Sequence, residues 1–223
     1  MTTSLSAGEQ PTEHCNRATR SVATVVGLLL ALACFEHGLF EALQGNVATP
    51  GRIVQAIGPS MRWWPYGTEE AFTLIPNFLA TGLVAMTVSL AIVGWSVFFL
   101  GTRRGAAVFL LLCALAIMVG GGIGFAPFAL VNFGYATRVR SSLAWWRRVL
   151  PGRLLFLGSV WPLGLAATAL CWLVAVEIAI WGYFPAVSDP QTLLAICWSS
   201  LFVALILVNL SFVAAIASDL RGR

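Results

Sequence analysis

The sequence predicts an all-α fold, a polytopic transmembrane helical bundle with six membrane segments. Composition is the first reason. Of 223 residues, 59% are hydrophobic and only 10% are charged, and the mean hydropathy is +0.87. A soluble domain is about a quarter charged, so disorder, a nucleic-acid module and a water-soluble enzyme are all excluded. The second reason is a series of uncharged runs of the roughly 20 residues needed to cross hydrocarbon. The third is the placement of positive charge. All thirteen basic residues are arginines, and they stand in short clusters beside apolar runs. That is how topology-setting loops look; a phosphate-tracking groove has its cations on one face. The expected partner is the lipid bilayer, with no nucleic acid, despite a net charge of +4 and a pI near 9.1.

Residues 1–20 are polar, with Glu9, Pro11, Glu13 and His14, and read as a disordered cytoplasmic tail. A single transmembrane domain over 21–218 follows. Its segments are expected at about 21–45, 71–102, 105–120, 124–138, 154–184 and 191–218. The third and fourth share one uncharged stretch of 33 residues, Gly105 to Thr137. As one helix it would run roughly 50 Å against a core of about 30 Å. In its middle stands Gly120-Gly121-Gly122-Ile123-Gly124-Phe125-Ala126-Pro127, which disfavours helix and suits a turn. The arginines choose between one long helix and a hairpin. With Arg17 and Arg20 on the cytoplasmic side, five spans would put Arg138, Arg140, Arg147, Arg148 and Arg153 outside. With a hairpin, eleven of the thirteen arginines lie inside, leaving Arg52 and Arg62 outside. The positive-inside rule selects the second arrangement, a multi-pass protein of the cell membrane with both termini cytoplasmic. Each hairpin arm of about 15 residues is shorter than the core, so the turn is expected to dip into the outer leaflet.

Two loops read as interfacial. Arg62-Trp63-Trp64-Pro65-Tyr66 has the aromatic character of the headgroup level, and Trp63, Trp64 and Tyr66 are expected to cap a polar pocket there. Residues 141–153, with Trp145-Trp146-Arg147-Arg148, read as an amphipathic stretch on the inner surface. The five cysteines match no zinc or redox spacing. No Walker loop, HExxH or G-x-S-x-G motif occurs, and no cofactor is called for.

Ionisable residues at membrane depth nominate a site. Glu36, His37 and Glu41 lie in the outer half of the first segment, and Glu177 lies about 12 Å before Pro185 in the fifth. At 100° per residue, with Glu36 at zero, His37 falls at about 100°, Glu41 at about 140°, Gln44 at about 80° and Cys34 at about 160°. These four share one face, directed to the bundle interior, and His37 and Glu41 are i,i+4 neighbours. Asn77 stands at the outer end of the second segment. The candidate polar site is therefore Glu36, His37, Glu41, Gln44, Asn77 and Glu177. His37, Glu41 and Glu177 are its candidate metal ligands, with metal binding itself left open. Glu69 and Glu70 read as an acidic entrance or a plain helix start.

The run Glu36-His37-Gly38-Leu39-Phe40-Glu41, followed by Gln44-Gly45-Asn46, resembles a pattern in bacterial polytopic membrane proteins without an assigned activity. Ile57-Gly58-Pro59, Ile75-Pro76-Asn77 and Gly120-Gly121-Gly122 extend the resemblance. In that family the glycine run is followed by Phe-Gly-Pro-Pro, whereas Ile123-Gly124-Phe125-Ala126-Pro127 stands here. The resemblance implies a bacterial inner-membrane location and no reaction. Three functions stay open. One is a small transporter or ion- or proton-coupled carrier with a polar site in the outer leaflet. Another is an intramembrane acid/base or metal-dependent enzyme acting on a lipid-like substrate. The last is a non-catalytic subunit or sensor of a membrane assembly. A second copy of the chain or another membrane subunit also stays open as a partner.

Overall fold

The computed structural model describes residues 15–222, and the first fourteen residues of the expected tail lie outside them. The fold is predominantly helical. In chain order it comprises α1 (Arg17–Leu43), β1 (Ile53–Gln55), β2 (Glu70–Phe72), α2 (Phe78–Gly94), α3 (Gly105–Met118), α4 (Ala126–Ala136), α5 (Ala144–Val149), α6 (Trp161–Trp181) and α7 (Pro190–Arg221). Among the described residues, four helical runs are long and apolar enough to cross a membrane: α1, Phe78–Phe99, α6 and α7. That is the composition of a membrane protein. α3 is a shorter apolar helix.

α1 is the central post and packs against α2, α4, α6 and α7. Its buried positions recur at helical spacing, from Thr19 through Val22, Val26, Leu30 and Cys34 to His37 and Glu41. The helix begins at Arg17, inside the segment expected to be tail. The reason lies in contacts distant in sequence. The Asp219 carboxylate of α7 accepts from the Ala18 N–H (3.0 Å), the Thr19 N–H (2.9 Å) and the Thr19 hydroxyl (2.7 Å). The two N–H groups are first-turn donors that a helix cannot satisfy itself. Asn16, which precedes the helix, donates to the Arg138 and Ser141 carbonyls.

α1 and α2 meet backbone to backbone at two glycines. A Cβ on Gly82 would stand 2.3 Å from the Gly38 carbonyl oxygen, so neither position tolerates a side chain. Small residues permit this close approach between membrane helices. α2 ends in a widened π turn at Trp95–Phe99. There the Thr24 hydroxyl takes the Ser96 carbonyl and the Arg20 guanidinium takes the Val97 carbonyl. Two carbonyls drawn towards α1 explain the local departure from α geometry.

The second segment also starts later than expected. Residues 70–72 are not helical; they pair antiparallel with 53–55, in the register Ile53 to Phe72 and Gln55 to Glu70. The uncharged run from Ala71 thus opens with a strand, and the all-α expectation gives way to a helical bundle with one small two-stranded ribbon. α2 starts at Phe78, where the Asn77 side chain accepts from the Ala80 N–H at 3.0 Å, an ordinary N-cap. α6 is likewise shorter than its expected segment, because residues 152–159 form a 3-10 turn before it. Gly182, at φ +61°, closes α6 in the left-handed conformation, the usual glycine stop.

Between α3 and α4 the chain leaves helical geometry from Val119 to Phe125. The Gly120 N–H donates to the Phe72 carbonyl and the Leu74 N–H to the Met118 carbonyl, which fixes this glycine segment beside β2. At the opposite ends of α3 and α4, Arg140 donates to the Gly101 carbonyl.

Candidate functional site

The polar stripe of α1 ends in two buried side chains, His37 and Glu41. His37 is 5% exposed, and its Nε2 lies 3.1 Å from Oε2 of Glu69. Glu69 comes from the turn before β2 and has φ +44°, in the left-handed region that few non-glycine residues occupy. The strands hold it there: its carbonyl accepts from the Ala56 N–H at 2.8 Å, and the next residue pairs with Gln55. Phe125 meets the imidazole edge-on, with centroids 5.5 Å apart. Nδ1 of His37 has no hydrogen-bond partner among the described residues.

Glu41, one turn along, is completely buried, and neither of its carboxyl oxygens has a hydrogen-bond partner among the described residues. The Thr81 hydroxyl is engaged elsewhere: it donates to the Val119 carbonyl at 2.8 Å and pairs with Thr73. The glycine segment seals both α1 side chains. Gly120, at φ +101°, lies against Glu41, and an added Cβ would stand 2.2 Å from Oε2. Gly122, at φ +82°, lies against His37, and its Cβ would stand 2.8 Å from Nε2. Each glycine is required twice, by its backbone angle and by the side chain it covers.

His37 lines a cavity of about 550 Å³, which Glu41 does not reach. Glu36, Glu69 and Glu70 supply its carboxylates. Trp64, Tyr66 and Thr68 form its roof, and Ile123, Gly124 and Phe125 one wall. The remaining walls come from α6 (Ala175, Val176, Ala179, Ile180) and α7 (Leu194, Cys197, Trp198, Leu201). The roof is fastened to the helices. The Trp64 indole N–H donates to the Ala179 carbonyl at 3.0 Å, Gln191 donates to the Tyr66 hydroxyl, and Trp63 packs on Trp181 with centroids 4.3 Å apart. Of the lining residues, Trp198 (63% exposed) and Ile123 reach the surface on the helix side, and Pro65, Tyr66 and Glu70 on the loop side.

Of the residues nominated from sequence, the structure brings Glu36 and His37 to this cavity and places the others elsewhere. Gln44 donates to the Gln55 and Ala56 carbonyls and clamps β1 to α1. Asn77 caps α2 and donates to Asn46. Glu177 is exposed, on the face of α6 shared with Leu170, Leu173 and Trp181. Helical phase explains this: with Ala175 at zero, Ala179, Val176 and Ile180 fall at about 40°, 100° and 140°, and Glu177 at about 200°. The suggested metal set of His37, Glu41 and Glu177 is therefore not assembled. Among the described residues no group of three or more His, Cys, Asp or Glu side chains is placed to hold a metal ion. The sequence reading missed Glu69 as the partner of His37, as well as Phe125 and the α7 wall. All three depend on contacts between distant segments and leave no local signal. Neither a protein-family model, nor a curated protein, nor a solved structure matches the chain.

Proposed function

We propose that this chain is a small carrier of the cell membrane that couples binding of a solute in the His37 cavity to proton movement. The observation that carries the reading is the His37–Glu69 pair on the wall of a cavity large enough for a small molecule. Histidine is the side chain whose ordinary titration lies nearest neutral pH. Its pairing with Glu69 links the loop over the cavity to α1, so a proton gained or lost there acts on the roof directly. Intramembrane ionisable residues are also characteristic of proton relays and substrate paths.

In this reading α3 and α4 are the two arms of a membrane hairpin, giving six segments and two cytoplasmic termini. Two features support it: the glycine segment is bonded to β2, and Arg140 reaches Gly101 from the far ends of the same arms. The test uses purified protein in proteoliposomes with an imposed pH gradient and an internal pH dye. Candidate solutes should collapse the gradient only in vesicles that contain protein, and His37→Ala should abolish the effect. Absence of any protein-dependent, solute-dependent proton flux would sink the proposal. A solute chemically converted without regard to the gradient would assign the cavity to an enzyme, with His37 as base and Glu69 orienting it.

A further inference from the structure

We infer that the cavity between α1, α6 and α7 binds a small amphipathic organic cation, an amine or quaternary ammonium with an apolar body. The inference rests on the reading of this cavity as a solute site and names the class of solute.

Charge is the first argument. Three carboxylates line the space, from Glu36, Glu69 and Glu70, against a single imidazole. The formal cations of the chain are all arginines, and among the described residues none of them lines the cavity. Even with His37 charged and paired to Glu69, two carboxylates remain uncompensated. Glu36 is half-buried and its carboxyl makes no hydrogen bond among the described residues; the neighbouring His37 acts in favour of its charge, and Glu69 and Glu177 act against it. An anionic solute would meet repulsion here, and a neutral one would leave Glu36 unanswered.

Surface chemistry is the second argument. Phe40, Trp64, Tyr66, Phe125 and Trp198 contribute aromatic rings, the groups that attract ammonium ions through their π faces. The α6 and α7 walls are aliphatic apart from Cys197 and Trp198, and a hydrated metal ion has no use for them. A volume of about 550 Å³ lies within the roughly 300–1,000 Å³ of small-molecule pockets. Access is the third argument. Trp198 stands about 12 Å along α7 from Pro190 and is well exposed. The cavity thus meets the surface on the flank of the helices, at Trp198 and Ile123, as well as under the loop, at Pro65, Tyr66 and Glu70, and the flank opening suits an apolar body arriving from the bilayer.

Tritiated benzyltrimethylammonium tests this, by equilibrium binding to the full chain in zwitterionic nanodiscs, with empty nanodiscs as blank. The expected result is saturable binding at one site per chain, competed by benzylamine and not by benzenesulfonate. Glu36→Gln should weaken it at least tenfold. Glu177→Gln removes a carboxylate that lies outside the cavity lining but whose charge acts on Glu36, and should weaken binding by clearly less than Glu36→Gln does. If Glu36→Gln does not give a monodisperse protein, Trp198→Ala at the exposed mouth carries the test and should also weaken binding at least tenfold. Lack of saturable binding, equal displacement by benzenesulfonate, or equal losses in the Glu36 and Glu177 variants would overturn the inference. Saturable binding without gradient-driven movement of the same cation would keep this inference and remove the carrier. Gradient-driven flux of other solutes with no cation binding would do the reverse.

Discussion

His37 has two carboxylates within reach along the chain, and its bond goes to a third. Glu36 precedes it and Glu41 follows at i+4, yet Nε2 pairs with Glu69 from the loop. Glu41 is instead closed off against Gly120. Phase arithmetic along one helix is local, so it sorted the buried Cys34, His37 and Glu41 from the half-buried Glu36 without knowledge of the fold. It could not say which partner reaches a buried side chain from elsewhere. The Glu41–Gly120 contact offers a direct check. Gly120→Ala puts a Cβ into the carboxyl at a backbone angle of φ +101°, and should destabilise the protein by about 1–3 kcal/mol. Glu41→Ala removes the obstructing carboxyl, so the double variant should lose less than the two single losses combined. A double-mutant cycle of unfolding free energies reads that difference. Strict additivity would mean that the segment relaxes away from Glu41 and that only the backbone angle matters.

At the scale of elements, helix identity was legible and helix beginnings were not. The runs of α1, α6 and α7 show in composition because a spanning helix must be apolar along its whole length. Where each starts depends on caps and on neighbours. Ala71 and Phe72 are as uncharged as the helix that follows, and pairing with Val54 and Ile53 makes them strand. Arg17 to Arg20 is polar, and only Asp219 makes it helix. Glu177 is misplaced for a different reason: depth along α6 puts it near the level of the cavity, and only helical phase turns it away from the cavity-lining Ala175, Val176 and Ala179. α7 starts with a local cap. The Asp189 carboxylate accepts from the Thr192 N–H at 2.8 Å and the Thr192 hydroxyl at 2.6 Å. Those bonds, the hydroxyl's first, hold its carboxyl below the usual carboxylate range. A group depressed on folding stabilises the fold above its unfolded value and loses that contribution as pH falls through its folded value. Asp189→Ala should therefore lower the unfolding midpoint at neutral pH, and the gap to the parent should close as pH drops to about 3 and below. A gap of constant size across that range would show that the charge of the cap contributes nothing.

The whole molecule has two chemically different ends, and the hydrogen bonds that tie each end together show which segments belong to it. One end joins Asn16 to Arg138, Asp219 to Ala18, Arg20 to Val97 and Arg140 to Gly101. The other joins His37 to Glu69, Trp64 to Ala179, Gly120 to Phe72 and Tyr66 to Gln191. The first end holds the arginine clusters around residues 17–20, 101–104 and 138–148 together with Arg221, while the second holds Arg52 and Arg62. Charge sorting of this kind orients a membrane protein with its arginines towards the cytoplasm. The cavity, at the second end, would then open in the outer leaflet. Single cysteines in a cysteine-free background test the arrangement. Ser142→Cys lies beside α5 at the arginine-rich end, and Ser60→Cys lies in the exposed turn between the strands. A membrane-impermeant maleimide added to intact cells should label position 60 and leave position 142 unlabelled until the membrane is opened. Labelling at 142 but not at 60 would invert the orientation and turn the cavity to the cytoplasm. Equal labelling at both positions in intact cells would mean that α3 and α4 together cross the membrane only once, leaving five spans and the strongest arginine cluster outside.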